Sequence, residues 1–359
     1  MRLSSVEVIP YALPFKAPYV TARGVLERRE MVLLRVRDED GVVGLGEAVP
    51  LSLRRGAGLT EVMRELEEWA ERQKDEGLSA PARCAVATAR MDLLGRRANT
   101  RNHNPRVGAS KESIPCNATL VAGAPEAVAA DAERWARDGF TTFKLKLGAE
   151  SVKSGVQHDF SQTRGDVEQV RAVREAVGPA ARIRVDANEA WDLEAAKRML
   201  AELEPYGIEL AEQPVSSLEE MAELAASTSI PLAADESVAT LDEAERAAAM
   251  GACAYTGIKL SKVGGPEAAL AIADVLPAFI TSALDGPVGI AAGAQVARSL
   301  AETGHPERLE LAHGLATQRL FAETIASVEC ELRNGMLHLP PGPGLGVEID
   351  EEALQAHRI

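Results

Sequence analysis

The chain has 359 residues, 46% of them hydrophobic and 26% charged, which excludes collagen-like, mucin-like and disordered readings and leaves room for about two domains. Acidic residues outnumber basic ones by 54 to 39, for a net charge of −15. A nucleic-acid or anionic-membrane partner therefore has no electrostatic basis.

In chain order, Val6–Leu13 alternates like a strand, and the N-terminus lacks the apolar core of a signal peptide. Met31–Val36 and Val42–Glu47 flank Asp40-Gly41, a hairpin signal. Helical patterns follow over Leu59–Gln73 and Ala80–Arg96. Ala98–Glu112 is polar and aperiodic, so a first domain is placed at 1–112. Eight short apolar runs come next: Ile114–Val121, Phe143–Leu147, Ile183–Ala187, Ile208–Glu212, Pro231–Asp235, Tyr255–Leu260, Phe279–Leu284 and Leu309–His313. Between them lie helix candidates such as Pro125–Arg137, Leu193–Leu203, Leu241–Met250, Gly265–Val275 and Pro287–Glu302. This alternation predicts an α/β fold, a (β/α)₈-type barrel over 113–326, with an open doubly wound sheet as the alternative. The tail, 327–359, carries an Asn334-Gly335 turn between two strands and a Pro340–Gly344 segment, and is expected to return to the N-terminal domain.

Cys84, Cys116, Cys253 and Cys330 lie far apart with no C-x-x-C pair, which argues against zinc ribbons, thioredoxin chemistry and a disulfide framework. No run approaches the ~20 apolar residues of a membrane span. The expectation is a reduced, cytoplasmic protein.

The polar residues that close the middle strands carry the chemistry. Lys144 and Lys146 share one side of their strand, as do Arg184, Asp186 and Asn188. Asp186, Glu212, Asp235 and Lys259 recur at intervals of 26, 23 and 24 residues, one βα unit each. They should ring the C-terminal mouth, where barrel sites lie. Alone, an Asp after a strand is ordinarily a helix N-cap and a strand lysine is ordinarily solvated. Their joint recurrence on five successive strands selects a ring instead. Three carboxylates and no softer donor suit Mg²⁺, with Mn²⁺ as substitute. Proton abstraction beside a carboxylate needs such a cation and a base of lowered pKa, and Lys144 is placed to depress Lys146. This Lys–Mg²⁺ combination is the one noted for enolase-superfamily sites.

Across nearly the whole length, the motifs resemble the enolase superfamily, muconate-lactonising-enzyme subgroup. They are Gly44-Leu45-Gly46-Glu47-Ala48-Val49-Pro50, Phe143–Gly148 with its K-x-K, Val185–Asn188, Ala211–Pro214, Ala234–Ser237 and Ile258–Gly265. The resemblance implies a (β/α)₇β barrel with an α+β capping domain built from both chain ends. It implies Lys146 as base, Asp186, Glu212 and Asp235 as Mg²⁺ ligands, and Lys259 as the opposite lysine. Asn188 is a neighbour of the metal site, and Lys262, three residues on, is expected as a solvated charge. Lys144, Arg184, Ser282 and Arg23 are expected in supporting or substrate-binding roles.

Within the subgroup, Thr281–Gly293, His313–Thr317 and Pro343–Val347 resemble the o-succinylbenzoate synthase family, and no strand-eight D-x-D is present at Leu311-Ala312-His313. The implied reaction dehydrates 2-succinyl-6-hydroxy-2,4-cyclohexadiene-1-carboxylate, a menaquinone-pathway step. N-succinylamino acid racemases and other cycloisomerases or epimerases of the subgroup are the alternative. A binding-only barrel would be supported by loss of a ligand or base, and none is lost. The helix start at Gly286-Pro287 is expected to receive a substrate carboxylate or carbonyl, although Asp285 would repel an anion if it pointed inward. Thr21-Ala22-Arg23 and Leu51–Gly56 are expected as substrate loops, their arginines meeting either a carboxylate or solvent. The polar 149–164 stretch lengthens the Lys146–Asp186 interval to 40 residues and is expected to be a mobile loop without chemistry. The expected partner is a small carboxylate substrate, with no nucleic acid and no membrane; a homo-oligomer is left open.

Overall fold

The N-terminal strands β1 (Leu3–Thr21), β2 (Gly24–Asp38) and β3 (Val43–Ala48) form an antiparallel sheet in that order. The structure is a computed structural model describing residues 2–21, 24–51, 56–100, 112–121, 123–148, 160–302 and 311–359. The sheet is buried on both faces, which is why Met31–Val36 reads as a nearly continuous apolar run. By the two-residue period of a strand, Ile9, Tyr11, Leu13, Phe15, Met31 and Leu33 join the large core shared with the barrel. Val32, Leu34 and Val36 face α1 (Leu59–Arg72) and α2 (Ala80–Arg97) in a second core with Leu66, Trp69 and Ala85. Helix α2 lies directly on β3. A Cβ at Gly44 would stand 2.4 Å from Ala89 O, and one at Gly46 would stand 2.0 Å from Ala85 O. Only glycine admits that approach.

The barrel follows: β4 (Ser113–Pro115), β5 (Ala118–Leu120), α3 (Pro125–Arg137), β6 (Thr142–Lys146), α4 (Phe160–Val177), β7 (Arg182–Asp186), α5 (Leu193–Leu203) and β8 (Ile208–Glu212). Then come α6 (Leu218–Ala225), β9 (Leu232–Ala234), α7 (Leu241–Met250), β10 (Tyr255–Ile258), the single turn α8 (Leu260–Val263), α9 (Pro266–Val275), β11 (Ala278–Ile280) and α10 (Pro287–Glu302). Strands β5 to β11 form one parallel sheet in chain order. Several crossover helices begin on caps: Asp192, Ser217 and Thr240 accept the amides of Ala195, Glu220 and Glu243, the last completed as a capping box.

Two of the eight expected strands differ. The first run is divided: β4 pairs with the C-terminal tail and only β5 enters the barrel. Among the described residues, the eighth shows single bridges, His313 to Cys116 and Gly314 to Thr281, which close the circle between β5 and β11. There the Ile280 amide donates to His313 Nδ1 at 3.0 Å instead of to a carbonyl, so a side chain interrupts the regular ladder. Inside, Leu210, Ala233, Phe279 and Leu311 form an apolar layer, each large side chain contributing about 1.5–3 kcal/mol by burial.

The tail forms two small pairings. Strand β12 (Ala326–Val328) pairs with β15 (Glu348–Ile349), and the hairpin β13 (Glu331–Arg333)–β14 (Met336–His338) turns at Asn334-Gly335 and joins β4. Helix α11 (Glu351–His357) then reaches the N-terminal sheet. The Ile359 amide donates to Pro10 O at 3.2 Å, and Arg35 pairs with Glu351 at 2.6 Å. No described helix is long and apolar enough to cross a membrane.

Candidate active site

Pairing register assembles the site. Lys146 lies opposite Asp186 on β7, and Asp186 lies opposite Glu212 on β8. Asp235 follows β9 by one residue and Lys259 follows β10 by one. Parallel strands of equal rise thus bring their C-terminal ends to one level, where the three carboxylates and two lysines converge. Asp186, Glu212 and Asp235 are each at most 1% exposed. Carboxylates in such a place need partners, and lysines supply them. The Lys144 ammonium bridges Asp186 Oδ2 at 2.8 Å and Glu212 Oε1 at 2.6 Å. Lys146 donates to Asp186 Oδ2 at 2.5 Å and to Asn188 Oδ1 at 2.9 Å. Lys259 donates to Asp235 Oδ2.

The electrostatics follow from these contacts. Burial alone would lower the Lys144 pKa, but Asp186, Glu212 and Asp235 hold it well above the usual lysine range. Burial alone would raise Asp186, but Lys144 and Lys146 hold it well below the ordinary carboxylate range. Burial, with the charges of Asp186 and Asp235, raises Glu212. Lys144 was expected to act on Lys146. The two ammoniums do share Asp186 Oδ2, but the charge of Lys144 is engaged by two carboxylates.

Of the ring lysines, Lys146 is the open one. Its side chain is 23% exposed, against 5% for Lys144 and 7% for Lys259. Asn188 holds it in place, accepting from Lys146 while its amide group donates to Glu236 Oε1 at 3.0 Å.

Two expectations are corrected. Lys262 is not solvated: the turn of α8 folds it back, 9% exposed, onto the carbonyl of Asp235 and, at 3.0 Å, onto Asp235 Oδ1. Arg184 takes a supporting place below the mouth. It is fully buried, donates to Glu209 at 2.5 Å and to Ala312 O at 2.7 Å, and covers the Phe279 ring at 5.0 Å. It braces the barrel's closing segment from within. The helix start after Asp285 is not open for a substrate carboxylate, because the Gly286 amide donates to Glu47 Oε1 at 2.7 Å. Ser282 lies in that loop, its hydroxyl donating to Asp285 at 2.6 Å. Arg23, and most of the 149–164 stretch, lie outside the described residues.

Gln213 and Glu236 are additional members of the site. Gln213 is fully buried and its amide oxygen accepts from the Asp235 amide at 2.8 Å and the Ser237 hydroxyl at 3.0 Å. It also takes a left-handed backbone, φ +40°, as do Asn188 and Glu189 at +46° and +65°. Such conformations are costly for non-glycine residues and collect at functional sites. The sequence signal was the Glu212-Gln213-Pro214 run, which marks the position but not the tie to the next strand.

The donor set fits a hard divalent cation: three carboxylates without histidine or thiolate. Glu212 Oε2 is buried with no hydrogen-bond partner, an acceptor left for a ligand. Among the described residues no three such groups stand together in the arrangement of a formed metal centre; the lysine ammoniums occupy the space among the carboxylates. A cavity of about 610 Å³ lies elsewhere, between α3, α10 and the tail, lined by Arg137, Asp285, Arg319 and Glu329 among others and by none of the ring residues.

This parallel barrel, with carboxylates and lysines at its mouth and an antiparallel sheet packed on it, defines a class that comparison with known proteins makes specific. Residues 127–353 match the enolase C-terminal domain-like family, and residues 4–103 match the mandelate racemase / muconate lactonizing enzyme N-terminal domain. The chain belongs to the enolase superfamily, in its mandelate racemase / muconate lactonizing enzyme group, a family of enzymes. It is 38% identical to an o-succinylbenzoate synthase of Thermobifida fusca over 246 residues, 68% of this chain and 70% of that one. It is 28% identical to a muconate cycloisomerase 1 of Acinetobacter baylyi, covering 99% of both. In three dimensions it is similar to an N-succinyl Arg/Lys racemase from Bacillus cereus, with TM-score 0.87, 24% identity and coverage of 100% and 98%. It also resembles a dipeptide epimerase from Enterococcus faecalis complexed with Mg and L-Leu-L-Tyr, with TM-score 0.84, 24% identity and coverage of 97% and 100%.

Proposed function

We propose that this chain is a Mg²⁺-dependent o-succinylbenzoate synthase that dehydrates 2-succinyl-6-hydroxy-2,4-cyclohexadiene-1-carboxylate. The observation that carries the reading is the placement of Lys146, the one partly open ammonium of the ring, beside three buried carboxylates with Lys259 among them. The 38% identity to the Thermobifida fusca synthase favours this substrate. Asp186, Glu212 and Asp235 would hold Mg²⁺, or Mn²⁺ in its place, which when bound offsets the negative charge developing on the substrate carboxylate.

The chain's own groups do the rest. Lys146 Nζ, in its neutral form, takes the proton from the carbon bearing the carboxylate. The electron pair of that C–H bond forms the ring double bond as the hydroxyl on the adjacent carbon departs. Lys146, now an ammonium, returns its proton to that hydroxide, so water leaves and the six-membered ring becomes aromatic. Asn188 keeps Nζ aimed during both transfers, and Lys259 holds the other face by its charge. In this reading 1–112 and 327–359 cap the 113–326 barrel, and the enzyme is cytoplasmic and serves menaquinone synthesis.

The second reading is N-succinylamino acid racemisation, favoured by the full-length likeness to the Bacillus cereus racemase fold. One preparation assayed with both substrates in D₂O separates them. Dehydration with negligible α-proton exchange supports the synthase. Efficient exchange with negligible dehydration reverses the ranking.

A further inference from the structure

The N-terminal sheet meets the barrel's mouth at one buried carboxylate. Glu47, at the end of β3, is 2% exposed. Its Oε2 accepts the Tyr11 hydroxyl at 2.8 Å, its Oε1 accepts the Gly286 amide at 2.7 Å, and the Gly289 amide also donates to it. Gly286 and Gly289 bracket the first turn of the 16-residue α10, whose leading N–H groups lack partners within the helix. A carboxylate from a distant part of the chain therefore supplies the cap, and favours that end of the helix dipole.

The fit is close. A Cβ on Gly286 would stand 2.3 Å from Tyr11 Oη and 2.8 Å from Glu47 Oε2, and a Cβ on Gly289 would stand 2.7 Å from Glu47 Oε1. Both positions need glycine for the sheet to approach this far. On the same face, Arg29 donates to Pro50 O at 2.7 Å, and burial raises the pKa of Asp285, which precedes Gly286, against its hydrogen bonds from Ser282 and Ala283 and the charge of Arg29. Asp285 in turn closes the loop after β11 through Ser282 and the Ala283 amide.

We propose that Glu47 is a positioning residue: its carboxylate latches the N-terminal sheet to the first turn of α10 and so sets the placement of that sheet over the barrel's mouth. The effect on turnover rests on the ring being the catalytic site; the latch itself does not. Glu47 touches no ring residue and acts through Gly286 and Gly289.

The test compares Glu47→Ala with Glu47→Gln, whose amide oxygen still accepts the two N–H groups. Two readouts are taken, amide hydrogen exchange and steady-state kinetics with whichever of the two substrates turns over. Glu47→Ala should speed exchange at Gly286 and Gly289, and also at Leu45–Val49 on β3, by about tenfold, the loss of one net hydrogen bond. It should raise KM about tenfold and leave kcat within about threefold. Glu47→Gln should recover most of both. Exchange that speeds only at Gly286 and Gly289, an unchanged KM, or a Gln variant as impaired as the Ala variant would each overturn the latch. Should Glu47→Ala fail to fold, Tyr11→Phe removes one of the donors, and no change in exchange or KM there would be equally decisive. Absence of turnover with either substrate would sink the functional reading alone, since the exchange measurement does not depend on it.

Discussion

Two buried polar clusters hold this molecule's mouth together, and they solve the same problem differently. In the ring, each carboxylate faces ammonium groups: Lys144 and Lys146 on Asp186, Lys144 on Glu212, Lys259 and Lys262 on Asp235. At the latch, Glu47 is held by a phenol and two backbone amides and has the like charge of Asp285 beside it. Burial is similar, yet Asp186 is held well below the usual carboxylate range while Glu47 is pushed up to about 7. Burial pushes all of these carboxylates up; at Asp186 two ammoniums outweigh it, whereas at Glu212 the lysine charges do not, and at Glu47 the neutral donors do not. The paired ammoniums keep Asp186 ionised and available to a cation. Neutral donors next to a second carboxylate make a mechanical tie between sheet and helix.

The comparison breaks most sharply at Lys146. Lys146→Ala should reduce turnover by at least ~10²–10⁴-fold, the usual worth of a positioned base. The fold should survive, because Lys144 still satisfies Asp186 and Glu212. Steady-state kinetics beside thermal unfolding check both halves. Next, Glu212→Gln or removal of divalent cations should depress metal affinity and turnover together, read by calorimetric Mg²⁺ titration and by assay in chelator, with Mg²⁺ restoring the latter. Full activity in metal-free buffer would end the ring's assignment as a cation site.

The latch sharpens the contrast through pH. Burial, then Asp285, raises Glu47 from 4.5 to about 7, against the donors Tyr11, Gly286 and Gly289. The groups facing it are Tyr11 on β1, Asp285 in the loop before α10 and Cys84 on α2; Arg29 and Glu329 act one step away through Asp285 and Tyr11. The folded state binds this proton more tightly than the unfolded chain. The contribution to stability is therefore fully present below about pH 4.5 and is lost as pH rises through about 7, on the order of 3 kcal/mol at most. Asp186 contributes in the opposite sense, losing stability as pH falls. Denaturant unfolding of Glu47→Gln between pH 5 and 8 should show a less negative slope than wild type; identical slopes would remove Glu47 as the titrating group.

Most of this architecture was legible because it depends on period and interval. Alternating runs and helices predict the parallel sheet, and intervals of one βα unit predict that Asp186, Glu212 and Asp235 share a level. What was not legible depends on short-range geometry without a period. Lys262 follows a strand, and nothing in Leu260–Val263 announces the single turn that folds its ammonium back onto Asp235. Arg184 shares a side with Asp186, as predicted, but two residues earlier on the strand it reaches Glu209 and Ala312 below the ring. Glu47 stood in a recognised motif, yet its tie to α10 runs to the Gly286 amide 239 residues away, and a backbone amide carries no sequence signature.

Lys262 provides the smallest of the expected effects and the finest division between ring and scaffold. Its ammonium is buried against the Asp235 carbonyl and Oδ1, with the Gly257 carbonyl at 3.3 Å, so it ties the end of β9 to the end of β10. Lys262→Met keeps most of the volume and removes the donor. Asp235 retains Lys259, so its charge is not left alone; what is lost is a buried donor to two carbonyls and one carboxylate oxygen. That costs about 1–3 kcal/mol of stability. Turnover should fall by about tenfold, because Asp235 is then held from one side only and loses its fixed orientation. Denaturant melts and kinetics on the same protein read the two effects. A variant as stable and as active as wild type would return Lys262 to the surface charge its sequence position suggests. A loss as large as that of Lys146→Ala would instead place it among the groups that meet the substrate.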